Sequence, residues 1–395
     1  MDLIPSPMAE RPGLVIRDPM RFSDAIVIVP WEIAPSLECF DGEHTQLDLK
    51  AELARRTGSV DVSRLQEDLY QALSQSGFLE DEAFARVREE RLQTFQDAEV
   101  RESAHAGSAY PTDPEELDKT MQGYIDPCER AAECDGIVGI AAPHVSPFGG
   151  WQSYRAAYSQ LAPDLADRTF VVLGTSHYGE PDKFGLTRKS FETPLGRTAT
   201  AVEVVNELEA RAPGAVGMED YCHAVEHSIE FQVLFLQWLF GPGIRVVPVL
   251  CGSFFRAFET HDRPEQDEHV ARFLGALGEL AARGSKRLVW VLGVDMAHIG
   301  RRYGDRVPAR ANRGHLVEVA ARDAARNERI AVGDARGFWD LVRENKDDLR
   351  WCGSSPIYTF LYAVPGVEGT VHRYEQWNID EASVVSFAGI SFRAR

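Results

Sequence analysis

Apolar runs alternate with amphipathic stretches along most of this chain. Four runs, Gly136–Ala142, Thr169–Leu173, Ile244–Leu250 and Arg287–Leu292, are short and nearly continuous, as strands buried on both faces must be. Between and around them, Gln152–Leu161, Ala201–Arg211, Ser228–Phe240 and Glu265–Arg283 repeat their apolar residues at helical spacing. Such alternation predicts an α/β domain: a mainly parallel sheet with helices on both faces. Two C-terminal segments, "TVHRYEQWN" and "SVVSFAGISF", alternate apolar and polar positions and read as antiparallel edge strands.

The first 95 residues have a different texture and are assigned to a separate domain, with residues 96–395 forming the α/β part. "DAIVIVP" (Asp24–Pro30) reads as a short strand. "WEIAPSLECFDGEHTQLDLKAELARRTG" reads as helix, turn and helix, with "DGEHT" as the turn and Leu47, Leu49 and Leu53 as apolar positions after it. Leu65, Leu69 and Leu73 then fall at i, i+4, i+8 on one helical face, with Ser63 as N-cap and Gly77 as the stop. The stretch Asp81–Val100 is a charged helix leading into the larger part. Three short helices with small strands on either side predict a winged-helix unit. Its layout, with "PWEIA", the "DG-x-x-T" turn and "L-x-x-L", resembles PqqD-like modules, which implies recognition of a peptide.

The chain of 395 residues carries a formal net charge of −19 and is 44% hydrophobic, enough for a packed core. Residues 1–100 hold 20 acidic against 10 basic side chains. This balance argues against duplex nucleic acid as a partner, because phosphate binding needs a basic face, although it leaves room for a local basic patch. The most apolar stretch, "FQVLFLQWLF", is too short to span a bilayer, and "MDLIPSPMAERPG" lacks the basic start and apolar core of a signal peptide. Cys39, Cys128, Cys134, Cys222, Cys251 and Cys352 form no C-x-x-C pair. They read as reduced thiols of a cytoplasmic protein.

Chemistry concentrates where the strands stop. "GIAAPHVSP" places His144, "TFVVLGTSHYG" places His177, and "RLVWVLGVDMAHIG" places Asp295 and His298, each just beyond an apolar run. Ligands of open α/β sheets bind at the carboxyl ends of strands, so neighbouring strands would bring these side chains to one rim. Two imidazoles need one further ligand to make a metal site with open positions, and iron, copper and zinc all accept imidazole. "EHSIE" (Glu226–Glu230) opens a helix with His227 and Glu230 on one face. His223 and His227, at i and i+4, would chelate a metal if both were helical; simple capping is the alternative. In "WCGSSPIYTFL", Cys352 precedes a turn that opens a helix, where a thiol pKa is lowered.

Taken in order, "RESAHAGSAYP", "APH", "LGTSH", "TPLG", "EHSIE", "VDMAHIG" and "CGSSPI" resemble the Memo family over about residues 101–395, including protein B of the AmmeMemoRadiSam system. That family is similar in fold to class III extradiol dioxygenases, which hold iron(II) with two histidines and a carboxylate. The resemblance implies His144, His177 and Cys352 as metal ligands, the cysteine standing where the dioxygenases have glutamate. It implies that His227, Asp295 and His298 line the same pocket, as groups that support the ligands or as acid–base groups, and iron(II) or copper as the cofactor. "VSPFGGW" after "APH" and Gly293-Val294 before Asp295 depart from the family pattern, so the pocket wall differs.

Two functions follow. One is a non-haem iron or copper redox enzyme acting on a small molecule. The other is a non-catalytic assembly factor that binds a peptide or a radical-enzyme partner. A hydrolase ranks last, because "GTSHYG" lacks the Gly-x-Ser-x-Gly elbow.

Overall fold

The computed structural model describes residues 1–395 apart from 7, 9, 127–129, 134, 135 and 261. Cys128 and Cys134 therefore lie outside the described residues. The chain divides into two compact units, Met1–Asp97 and Ala98–Arg395.

In the first unit, strands Asp2–Pro5, Gly13–Arg17 and Ile26–Pro30 form an antiparallel sheet in chain order. Helices Gln46–Thr57, Ser63–Gln75 and Glu82–Asp97 follow. All three strands precede the helices, where the sequence pattern had placed strands on either side. Ile16, Val29, Leu49, Leu53, Leu69 and Leu73 share one core, whereas Leu47 faces solvent. The stretch read as a first helix forms only a 3₁₀ segment, Ala34–Cys39, with proline near its start. The "DGEHT" turn works as expected because Thr45 and Asp48 make a reciprocal capping box. Ser63 differs: it is the first helical residue, and the N-cap position belongs to Val62, without a side-chain capping bond.

The second unit is a mixed α/β fold. Its four central strands, in the order Ile137–Ala142, Leu288–Gly293, Thr169–Thr175, Arg245–Cys251, are mutually parallel. Registers such as Val291 with both Ile140 and Val172 align their carboxyl ends. Val367–Asn378 and Ser383–Ala394 form an antiparallel hairpin. Only one of these two strands behaves as an edge. Ser383–Ala394 also pairs with Ile137–Ala142 and with the short strand His298–Gly300, and ten of its residues in a row are buried. Its serines look outward-facing in the sequence but are satisfied inside. Ser386 donates to Asp323 at 2.6 Å, and Ser391 bonds His372 at 2.8 Å.

Helices His227–Phe240 and Ser354–Ala363 both pack on the central strands. The first comes unusually close, and two glycines permit it. A Cβ on Gly174 would meet Ser228 Oγ at 2.5 Å, and one on Gly293 would meet the Ser228 carbonyl oxygen at 2.1 Å.

Candidate functional site

Three adjacent parallel strands end at one rim, and each end carries a polar side chain into it. Past Ala142 the chain turns at Pro143, and His144 is held by two contacts. Its backbone N–H donates to Asp295 Oδ1 at 2.9 Å, and its Nδ1–H donates to the Gly293 carbonyl at 2.9 Å. Both acceptors lie at the end of the neighbouring strand. A carbonyl oxygen only accepts, so the proton sits on Nδ1 and Nε2 faces the pocket.

His177 follows the strand Thr169–Thr175 in the same manner, but its partner is a glutamate from elsewhere. Glu226 Oε2 accepts the His177 backbone N–H at 2.9 Å, and Oε1 accepts Nδ1–H at 2.8 Å. Glu226 is the N-cap of the helix beginning at His227, whose backbone N–H it also accepts. His227 Nδ1 lies 3.3 Å from the same carboxylate oxygen. One buried carboxylate thus fixes two imidazoles, which stack with ring centres 5.0 Å apart and planes 9° apart. Each leaves Nε2 directed away from Glu226. A ligand nitrogen from each of His144, His177 and His227 lies within 4.8 Å of the others, a grouping that could hold a metal ion.

Cys352 completes the rim from the turn before Ser354–Ala363. Its Sγ lies 3.4 Å from His144 Nε2 and 3.7 Å from the Asp295 carbonyl oxygen. His298 approaches the same thiol; its Nδ1–H donates to the carbonyls of Met296 and Arg350 at 2.9 and 3.1 Å. Tyr303 packs edge-on against His298 at 5.0 Å. His144, His177, His227, Asp295, His298 and Cys352 therefore lie close to one another at this rim.

The charges of the pocket reinforce one another. Burial disfavours ionised His144, but Asp295 and the Cys352 thiolate outweigh it and raise its pKa to about 9. Burial likewise opposes the Cys352 thiolate, yet His144 and His298 hold that pKa well below the usual thiol range. Glu226 is held well below the carboxylate range against burial, by His177 and His227. Asp295 moves the other way: burial raises it, the Cys352 charge adds to this, and His144 only partly compensates. Burial lowers His227 to about 4, despite Glu226 beside it.

The i, i+4 pair does not form. His223 belongs to a short helix, Cys222–Val225, and Glu226 is extended before the next helix begins. The His223 Nε2–H donates to the Gly185 carbonyl at 3.0 Å, so this histidine is tied to the short strand Phe184–Leu186.

Residues that the strand-end pattern could not mark stand behind Glu226. Arg101 pairs with Glu230 in the interior, and Tyr110 donates to the same carboxylate. Arg101 also donates to the carbonyls of His223, at 2.7 Å, and Glu226, at 2.9 Å, and so braces the start of the His227 helix. The backbone N–H groups of Ala104 and His105 bond Glu230 as well, at 2.9 and 3.0 Å. "RESAHAGSAYP" is thus a wrapping around one buried carboxylate. A single arginine in a sequence carries no signal of which acid it will meet 129 residues later.

A family model described as Memo-like protein matches residues 101–391. The MEMO1 family protein of Thermococcus kodakarensis is 30% identical over 306 residues, 74% of this chain and 99% of its own length. That of Methanopyrus kandleri is 28% identical with the same coverage. The MEMO1 family protein of Aquifex aeolicus is 26% identical over 382 residues, 96% of this chain and 95% of its own, so its similarity extends into the N-terminal unit.

Proposed function

Because the chain belongs to the Memo family, we propose that its pocket is a metal centre, with His144, His177 and the Cys352 thiolate as ligands and His227 beside them. The observation that carries this is the orientation of the imidazoles. Gly293 and Glu226 occupy Nδ1 of His144, His177 and His227, and each ring turns Nε2 to the common space. The donor spacing also fits. Nitrogen at about 2.0 Å and thiolate sulfur at about 2.3 Å from one tetrahedral ion stand about 3.5 Å apart, and Cys352 Sγ lies 3.4 Å from His144 Nε2. A thiolate with two imidazoles favours iron or copper over hard cations.

Iron(II) or copper, if held there by His144, His177 and Cys352, would supply a redox-active Lewis acid. The protein's own groups do the rest. Glu226 fixes two imidazoles and keeps their Nδ1 protons. Asp295 holds the backbone of His144 and Val145. His298, with Nδ1–H committed to carbonyls, has Nε2 left to hold or move a proton. We read this as an oxidoreductase pocket of the extradiol dioxygenase kind, with cysteine in the glutamate position.

The test is anaerobic purification followed by elemental analysis. Wild type and Cys251→Ser are expected to retain iron or copper in near-stoichiometric amount, and His144→Ala and Cys352→Ser to lose it while staying folded. Equal metal in Cys352→Ser and wild type would remove the cysteine from the ligand set. A second reading, a non-catalytic assembly factor, is favoured by the N-terminal unit, which we read as a winged-helix, PqqD-like module for a peptide of a radical-enzyme system. Binding of such a peptide without oxygen consumption by the metal-loaded protein would put this reading first.

A further inference from the structure

Directly after His298 the charge of the chain reverses. Between Arg301 and His315 lie Arg301, Arg302, Arg306, Arg310 and Arg313, with Asp305 as the only acid. All five arginines are exposed. Acidic side chains outnumber basic ones 61 to 42 in this protein, and arginines elsewhere find them readily: Arg188 pairs with Glu209, Arg211 with Glu207, Arg322 with Asp348. None of the five does so among the described residues. Asp305 is itself engaged by Arg350 at 2.7 Å, and Asp380 and Glu381 on the adjoining turn form no ion pair with the loop. A local charge of this kind acts despite the overall −19, because screening confines each field to about 8–10 Å at physiological salt.

The loop is also held in place. The Gly300 N–H donates to Asp305 Oδ2 at 2.8 Å, Ala309 to the Ala382 carbonyl at 2.8 Å, Ala311 to Asn378 Oδ1 at 3.1 Å and Asn312 to Gln376 Oε1 at 2.8 Å. A fixed backbone presenting unpaired cations has already met part of the ordering cost of binding. Beneath it lies a cavity of about 510 Å³ lined by the apolar Ile299, Val307, Val319 and Leu349, by Arg306 and His315, and by Glu318 together with Asp305 and Asp348, whose charges are engaged by Arg350 and Arg322. Val307 is 60% exposed there.

We propose that this arginine loop docks an acidic segment of a partner polypeptide beside the pocket mouth, with one apolar side chain seated in the cavity. The charges are spread along the loop, which suits carboxylates spaced on an extended chain, at about 3.3 Å per residue, better than one phosphate group. Single-stranded nucleic acid is disfavoured, because the loop's one aromatic ring, Tyr303, is packed against His298 and offers no stacking platform. The inference does not require a bound metal.

Fluorescence anisotropy of the full-length protein with a short labelled peptide of alternating glutamate and leucine tests it, in the presence of chelator so that metal loss is separable. Wild type is expected to bind, more weakly as salt is raised. Substituting Arg306→Gln, Arg310→Gln and Arg313→Gln together is expected to weaken binding by about tenfold, since exposed pairs contribute modestly each. The corresponding triple Arg→Lys variant is expected to retain binding, and a glutamine–leucine peptide to show none. Absence of binding by wild type, equal binding by the glutamine triple, or tighter binding of a single-stranded oligonucleotide of matched charge would overturn the proposal.

Discussion

Two buried carboxylates flank the pocket, and they behave in opposite ways. Glu226 meets two backbone N–H groups and two imidazoles. Asp295 accepts backbone N–H groups of His144 and Val145 on one oxygen, and its other oxygen lies 3.4 Å from His144 Nε2 with a thiolate nearby. Burial raises the pKa of both; four donors overcome it for Glu226, while the donors of Asp295 do not. Location alone therefore does not set the state of a buried acid. The number and charge of its donors do. Glu226 is held in its anionic form and orients two imidazoles, and Asp295 is poised closer to its neutral form.

The most forceful way to break this comparison is Glu226→Gln. An amide cannot accept from both imidazoles as a carboxylate does, so metal affinity is expected to fall by about 10- to 100-fold, read by competition with a chelator. An unchanged affinity would make Glu226 a mere helix cap.

Acid titration of the metal-free protein should separate the two sides. The folded-state pKa of His227 is lowered, to about 4, so the stability it contributes is present above its ordinary value of about 6.5 and lost as pH falls from there towards 4. Glu226, also lowered, adds a further loss below the ordinary carboxylate value. Asp295 is raised and contributes the opposite sign, favouring the folded state below its ordinary pKa and losing that contribution as pH rises. The expected net result is a falling melting temperature between about pH 6.5 and 4, with up to about 3 kcal/mol traceable to His227 by its absence in His227→Gln. An identical acid limb in that variant would refute the assignment.

Asp295→Asn should produce the smallest effect and so sharpen the contrast. Its Oδ1 can still accept the His144 N–H, and the cost of a buried charge disappears. At neutral pH we expect stability within about 1 kcal/mol of wild type, or slightly above it, and metal affinity within a few-fold. A loss comparable with Glu226→Gln would show that both acids work as anions.

Much of this site was legible in the chain because strand ends are legible. Continuous apolar runs mark His144, His177 and Asp295 as rim residues, and the rule that parallel strands share a carboxyl end brings them together. Glu226 was quoted in a motif yet could not be given its role, since it reaches His177 from 49 residues away. The strand Ser383–Ala394 was misplaced at an edge because buried serines look like exposed ones until their partners are known.

Hydrophobic periodicity, then, determined on its own that this is an α/β chain with an appended N-terminal part, and which side chains stand where the central strands stop. Periodicity is a local property, set by how a helix or strand turns successive residues towards one face. Tertiary structure alone decided that Glu226 and not Asp295 orients two imidazoles, that Arg101 braces their helix through Glu230, and that Cys352 sits against His144 from 208 residues away. Ionisation and donor geometry depend on distance through space and on lost hydration, and neither is written in the spacing of residues along the chain.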